Sequence, residues 1–327
     1  MNSARNTLTT VLVNFNHARY LPHSLGSILA QTRPSDELIV IDDTSTDNSV
    51  EVITSFLPRH GNARLIRNRV NQGCFANVND GLKVAQGDVI HLAAADDVFY
   101  PNFYQVGMAL LQAYPQSALF TSRSDIIDEN GHNLDLPTPW QGYPSHQPAF
   151  IDPVLSARLL MREDGWFMGN TALFSREAVQ REGGFPLEMQ SFADGYICRL
   201  LAAKDGVCFS PEILGAWRRM AGGFAASLND NPERARALIA AAEQKMLAAG
   251  AAFPPGYAMR WKGRQQFELQ RHALSKAAAK SASRGVMRRR TARAIEKFRA
   301  ALLLLRLRPW DAMANLRQRI ALYRGRN

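Results

Sequence analysis

The sequence is poor in the signatures of the commonest redox, metal and nucleotide enzymes. Its three cysteines, Cys74, Cys198 and Cys208, are scattered, with no CxxC pair. They offer no disulfide framework and suit a reducing compartment. The seven histidines show no HxH or HxxxH spacing, which speaks against a zinc site. No GxGxxG follows the first apolar run, where the loop reads Asn14-Phe-Asn-His-Ala-Arg19. That argues against a dinucleotide-dependent oxidoreductase, and the absence of GxxxxGK[ST] argues against a P-loop NTPase. The late apolar run Ala300–Leu305 stops at Arg306, far short of the roughly 20 residues of a spanning helix. The N-terminal stretch lacks the basic start and apolar segment of a signal peptide, so a cytoplasmic location is expected.

The chain does have size and an uneven charge. Its 327 residues are 46% hydrophobic and 21% charged, enough to fold around a core without staples. Residues 1–228 carry 17 Lys and Arg against 23 Asp and Glu, net −6; residues 229–327 carry 22 against 6, net +16. An acidic body followed by a basic region predicts two parts, 1–228 and 229–327, with separate jobs.

In the body, Thr9–Val13, Glu37–Ile41, Arg64–Arg67, Asp88–Leu92 and Ala118–Thr121 read as short apolar strands. Between them, apolar residues such as Leu21, Leu25, Ile28 and Leu29 recur at helical spacing. Strand–helix alternation predicts an α/β fold: a Rossmann-like, mostly parallel sheet with helices on both faces. Ligands of such sheets sit beyond the carboxyl ends of the strands. There stand two acidic pairs, Asp42-Asp43 and Asp96-Asp97. One carboxylate can accept hydrogen bonds from a base or ribose, and another can hold a divalent cation that bridges a pyrophosphate. Sugar-nucleotide chemistry uses both, because a nucleoside diphosphate gathers charge as it leaves.

From about Thr9 to Ser227 the sequence resembles the family 2 glycosyltransferases, inverting enzymes of the GT-A fold. The resemblance rests on Val11-Leu-Val-Asn-Phe-Asn16, on Ile41-Asp-Asp-Thr-Ser-Thr-Asp47, and on Asn71-Gln-Gly-Cys-Phe-Ala-Asn-Val-Asn-Asp-Gly81. It continues with Ala94-Ala-Asp-Asp97, Gly183-Gly-Phe185, Pro211-Glu-Ile-Leu214 and Trp217-Arg218. It implies that Asp42 and Asp43 contact the base and ribose of a nucleoside-diphosphate-sugar donor, and that Asn14 and Asn16 line the nucleotide pocket. Asn71 and Gly73 would shape the loop over the base, with Asn79 nearby. Asp96 would be the metal or diphosphate ligand, braced by Asp97. The general base would come from Gln190-Ser-Phe-Ala-Asp-Gly-Tyr196, where Asp194 is the sole acid, with Glu188 as the fallback. The family's D-x-D has lost its first acid to Ala94, and Met220 stands where a His is frequent. A manganese or magnesium ion is therefore expected to bind weakly, with Arg218 or Arg219 sharing the neutralisation of the diphosphate. Donor, saccharide or lipid-linked acceptor, and a role in bacterial cell-surface polysaccharide or glycolipid assembly are what the resemblance implies. The rival readings are a sugar-1-phosphate nucleotidyltransferase, whose glycine-rich loop is missing at Asn14–Arg19, a degenerate transferase acting as a scaffold, and a nucleic-acid-binding protein acting through its basic tail.

Residues 229–327 are rich in Ala, Arg, Lys and Leu and predict a helical, basic C-terminal extension. Ile295, Phe298, Leu302 and Leu305 share a helical face, as do Met313, Leu316, Ile320 and Tyr323 beyond Pro309. Flanking arginines would let such helices lie on an anionic membrane, which predicts peripheral attachment at the inner face of the plasma membrane. With few aromatics and no reading module, nucleic acid is not an expected partner.

Overall fold

In a computed structural model of the chain, residues 6–134, 143–162, 164–220 and 231–283 are described. The chain divides into two compact units, Met1–Ala221 and Gly222–Asn327.

In the first unit, β1 (Leu8–Asn14), β2 (Glu37–Asp42), β3 (Ala63–Arg67) and β4 (Val89–Ala94) form the parallel order β3-β2-β1-β4. Between them run α1 (Leu21–Leu29), α2 (Ser49–Phe56) and α3 (Cys74–Val84). The even positions Leu8 and Leu12 of β1 enter a buried cluster with Leu21, Leu25 and Ile28 of α1. The odd position Val11 points the other way, against Gly81 of α3. Period-two alternation thus feeds a helix layer on each face.

Beyond β4 the sheet becomes mixed. β5 (Val98–Phe99), β6 (Leu119–Ile127), β7 (Ala149–Ile151), β8 (Ala172–Ser175) and β9 (Val207–Arg218) complete it. The order continues β4-β8-β6-β9-β5, with β8 antiparallel to both β4 and β6, and β7 paired to β9. The helices of this half are α4 (Phe103–Ala113), α5 (Pro153–Arg162), α6 (Arg176–Arg181) and α7 (Ala193–Asp205). β9 is the strand that the sequence pattern hides. Pro211 interrupts its apolar run, and its pairing with β6 shifts register near Arg123 to accommodate the irregularity.

The second unit contains α8 (Pro232–Ala248) and α9 (Tyr257–Ser283). Asn231 caps α8 by accepting from the Arg234 N–H, and Pro232 occupies its first turn. The two helices pack on each other, and Lys262 of α9 reaches Glu243 of α8 at 2.7 Å. The amphipathic stripes expected at 295–305 and 313–323 lie outside the described residues.

One polar chain crosses the core of the first unit. His91 of β4 is surrounded by the rings of Phe99, Phe103 and Tyr104. Its Nε2 lies 3.1 Å from the Asn170 carbonyl, which can only accept, so Nε2 carries the proton. Nδ1 must then accept from the Tyr104 hydroxyl at 2.8 Å, leaving Tyr104 to accept from Thr10 at 2.8 Å. Burial holds the imidazole down at about 3, against its ordinary 6.5. Between those values the unfolded chain binds a proton that the folded chain refuses. His91 therefore contributes stability that is complete above pH 6.5 and is lost as the pH falls towards about 3. Replacing His91 by Phe should remove about one proton from the uptake on unfolding between pH 4 and 6, read from urea titrations. The variant should cost about 1–3 kcal/mol at neutral pH, because Tyr104 and Asn170 lose their partner.

Candidate active site

The carboxyl ends of β1 and β2 are tied together by the side chains expected to face a nucleotide. Asn14 donates from Nδ2 to Asp42 at 2.8 Å and to Ser45 at 3.0 Å. Asp42 accepts the Ser45 N–H at 3.0 Å through its other oxygen. Asn16, at a left-handed φ of 57°, accepts the Thr46 N–H at 2.7 Å. These groups knit two loops into one floor.

Asp43 is buried and builds the next loop. Its carboxylate accepts from Asn68 at 2.8 Å, from the Gln72 N–H at 3.0 Å and from the Gly73 N–H at 2.9 Å. Burial alone would raise its pKa, but these donors outweigh it and hold the carboxyl below its ordinary value. Asn71 leans on the Asp43 carbonyl at 3.4 Å. Asn79 lies further along α3, where it clamps Phe185 by accepting its N–H and donating to its carbonyl, both at 2.8 Å. The Gly183–Phe185 turn needs glycine because both Gly183 and Gly184 have φ of 84°.

At the end of β4, Asp97 is buried and accepts the Arg218 N–H at 2.9 Å. Arg218 also donates from Nε to the Asp96 carbonyl at 2.7 Å and from Nη1 to the Asp128 carbonyl at 2.9 Å. Its guanidinium lies over the Tyr20 ring, 4.9 Å from the centroid. Arg218 is thus the buried anchor of the acidic corner, in contrast to an arm extended towards a diphosphate. Burial raises the Asp96 carboxyl, opposed by His17 and Arg218; Asp97 is raised further by burial and by the neighbouring Asp96 charge.

Asp194 stands in the first turn of α7, half-buried. Its Oδ1 accepts the Gly195 N–H at 2.7 Å. Burial pushes its carboxyl above the ordinary 3.8. Glu188, the alternative, is exposed on the preceding turn. Trp166 is buried and stacks on Phe167 at 3.9 Å.

These elements meet at Cys74, the first residue of α3. Its thiol is solvent-accessible but recessed, and burial together with the charges of Asp194, Asp96 and Asp43 pushes it up to about 12. Carboxylates that follow β2, follow β4 and start α7 are therefore all within electrostatic reach of this thiol. The residues present do not fit a divalent site built by protein ligands. Ala94 has no donor, Asp97 is turned to Arg218, and Asp96 alone remains. Among the described residues, no three His, Cys, Asp or Glu side chains group to hold a metal ion.

Sequence reasoning missed four contributors. They are His17 beside Asp96, Asn68 on Asp43, Tyr20 under Arg218, and Arg199 near Asp194. Each lies on an element other than its partner's, except Arg199, which follows Asp194 by five residues on α7, outside the i,i+3 and i,i+4 spacing that marks helical neighbours.

The first unit matches the model of the glycosyl transferase family 2 over residues 9–182. The chain is 29% identical to the glycosyltransferase alr2836 of Nostoc sp. over 214 residues, 64% of each chain. It is 31% identical to the glycosyltransferase YibD of Escherichia coli over 110 residues, 34% of this chain and 32% of that one. The chain thus spans less than two thirds of the length of these curated relatives. The fold is similar to that of Staphylococcus aureus TarS 1–349 solved with UDP-GlcNAc: TM-score 0.62, 16% identity, 92% of this chain and 81% of TarS. It is also similar to the mannosyltransferase PcManGT of Pyrobaculum calidifontis solved with GDP-Man and Mn2+: TM-score 0.60, 20% identity, 95% and 85% coverage. The architecture is thus of the GT-A type, and with its family model matched over more than half its length the chain belongs to glycosyl transferase family 2.

Proposed function

We propose that the chain is a hexosyltransferase that moves a sugar from a nucleoside-diphosphate donor to a hydroxyl acceptor with inversion. The observation that carries the reading is the pair of fixed acidic strand ends, Asp42-Asp43 held by Asn14, Asn68 and the N–H groups of Gln72 and Gly73, and Asp96-Asp97 held by Arg218. Family membership supports it, and so do the sugar nucleotides held by TarS and PcManGT.

In this reading the acceptor oxygen attacks the anomeric carbon from the face opposite the diphosphate. Asp194 takes the hydroxyl proton. The bond from the anomeric carbon to the phosphate oxygen breaks, and the nucleoside diphosphate leaves with the electron pair. A half-buried carboxyl with raised proton affinity suits a base better than the exposed Glu188. Asp43 acts on the donor by holding the Asn71–Gly73 loop. Asn14, Asn16 and Asp42 fix the floor beneath it, and Asn79 works through the Gly183–Phe185 turn. Asp96 faces the leaving group with the Arg218 charge behind it. The acceptor is a growing saccharide or lipid-linked intermediate of a bacterial cell surface, met at the cytoplasmic face. The basic extension, 229–327, attaches the enzyme to anionic lipid there.

Asp194→Asn should lower transfer by about 10²–10⁴-fold while donor affinity, read by calorimetry with UDP-GlcNAc and GDP-mannose, stays unchanged. The wild-type rate should fall on acidification through a midpoint above 3.8, because the base is protonated there. Full turnover in Asp194→Asn together with loss in Glu188→Gln would reassign the base.

Asp43→Ala should weaken nucleotide binding through collapse of its loop, whereas Asp96→Asn should mainly lower turnover. Wild-type donor affinity and rate in both would remove the site. Full-length protein should sediment with phosphatidylserine-containing vesicles at low salt and be released at high salt; no sedimentation at low salt would leave the extension without a membrane role.

A further inference from the structure

The candidate base is held by a device that the transferase reading does not name. Arg199 stands five residues beyond Asp194 on α7, and its guanidinium ties the first turn of its own helix to the distant Asp164. Nη1 donates to the Gly195 carbonyl at 2.7 Å, and Nη2 donates to the Asp164 carbonyl at 2.8 Å. Nε faces the Asp164 carboxylate at 3.3 Å, in an ion pair with both side chains largely buried. The Phe167 ring lies beneath the guanidinium, 5.4 Å from its carbon. Gly195, gripped through its carbonyl, is also the residue whose N–H binds Asp194.

The segment that Arg199 captures also closes on Asp194. Residues 164–171 are fastened at several points. Met168 exchanges bonds with Thr121, Asn170 receives the His91 proton and donates to Ser124, and Thr171 donates to the Ser122 carbonyl. Within it, Gly169 presses against the Asp194 carboxylate. A Cβ on Gly169 would lie 2.4 Å from Asp194 Oδ2, and a Cβ on Gly195 would lie 2.7 Å from Arg199 Nη1. Real side chains do not approach so closely. The two glycines are therefore clearances for these two side chains.

We propose that Arg199 is the positioning residue of Asp194: paired with Asp164, it fixes the carboxylate against Gly169 and supplies its nearest positive charge. This rests on the reading of Asp194 as the base, but its test does not. The groups facing Asp194 are Cys74 from α3, Cys198 and Arg199 from α7, and Asp164 through Arg199. Burial raises both thiols, to about 12 for Cys74 and higher for Cys198, so neither carries charge at neutral pH. Arg199 is then the cation whose loss Asp194 would feel.

The experiment is a carboxyl-carbon NMR titration of the full chain labelled at aspartate, with the Asp194 signal assigned by its loss in Asp194→Asn. No donor or acceptor is needed, so failure of the transferase reading would leave this test intact. In Arg199→Gln the Asp194 midpoint should rise by about one pH unit, the size expected for removing one adjacent opposite charge. Arg199→Lys, which keeps the charge, should restore most of that shift. Gly169→Ala should move the Asp194 carbon signal at neutral pH by displacing the carboxylate. If Arg199→Gln does not give a native amide spectrum, Asp164→Asn replaces it, and the Asp194 midpoint should then fall as Arg199 loses its competing partner. An unshifted midpoint in natively folded Arg199→Gln, or in Asp164→Asn where that variant is used, would overturn the proposal.

Discussion

Like charges repel strongly where water is thin, so keeping Asp43, Asp96 and Asp194 all within electrostatic reach of the Cys74 thiol is the demand on which this structure turns. Each carboxylate has its own local compensation. Asp43 takes backbone N–H groups from the 72–73 loop, and the Asp96–Asp97 corner takes Arg218. Asp194 takes the Gly195 N–H and the Arg199 charge. Much of what surrounds these acids is the scaffolding of those compensators: the Asn68–Asn77 bridge, the Arg218 bonds to Asp128 and Glu129, and the Arg199–Asp164 pair. These donors are fixed in advance, which is how a site keeps charged groups ready without reorganising.

The left half of this arrangement was legible from the chain alone. β1, β2 and β4 are largely apolar runs, Asp42-Asp43 closes β2 and Asp96-Asp97 follows β4, and parallel topology places those ends on one edge. The right half was not. β8 pairs antiparallel with β4, and β9 pairs parallel with β6 and antiparallel with β5, all between segments distant in sequence; β9 also carries a proline and a bulge that blur its period. The resemblance assigns ligand contacts to residues whose bonds in the structure run to the protein's own loops. Asn14, Asn16, Asp42 and Asp43 are bonded to one another's loops, and Asn79 serves the Gly183–Phe185 turn. A side chain read from a motif as a ligand contact can be a residue that shapes the backbone contacting the ligand. Hydrogen-bond bookkeeping decides between these roles, and it needs coordinates.

The surroundings also push the acids apart. Asp43, rich in N–H donors, is held ionised, while burial raises Asp96, Asp97 and Asp194. Pairs of acids whose environments separate them are the arrangement from which acid–base roles are built.

The corner at Asp96 and Asp97 bears most directly on an anionic leaving group. Two adjacent carboxylates facing a diphosphate would repel it. Here the buried Asp97 is raised well above its ordinary value by burial and by Asp96, so the neutral form is favoured on that member. Asp96 keeps the charge more readily, with Arg218 anchored behind it and His17 beside it. In the proposed transferase such a corner would meet a diphosphate with less than the full penalty of two negative charges, because burial biases Asp97 towards its neutral form and Arg218 stands against Asp96. Loss of the first acid at Ala94 fits the same balance, because a third carboxylate would restore the repulsion that Arg218 offsets.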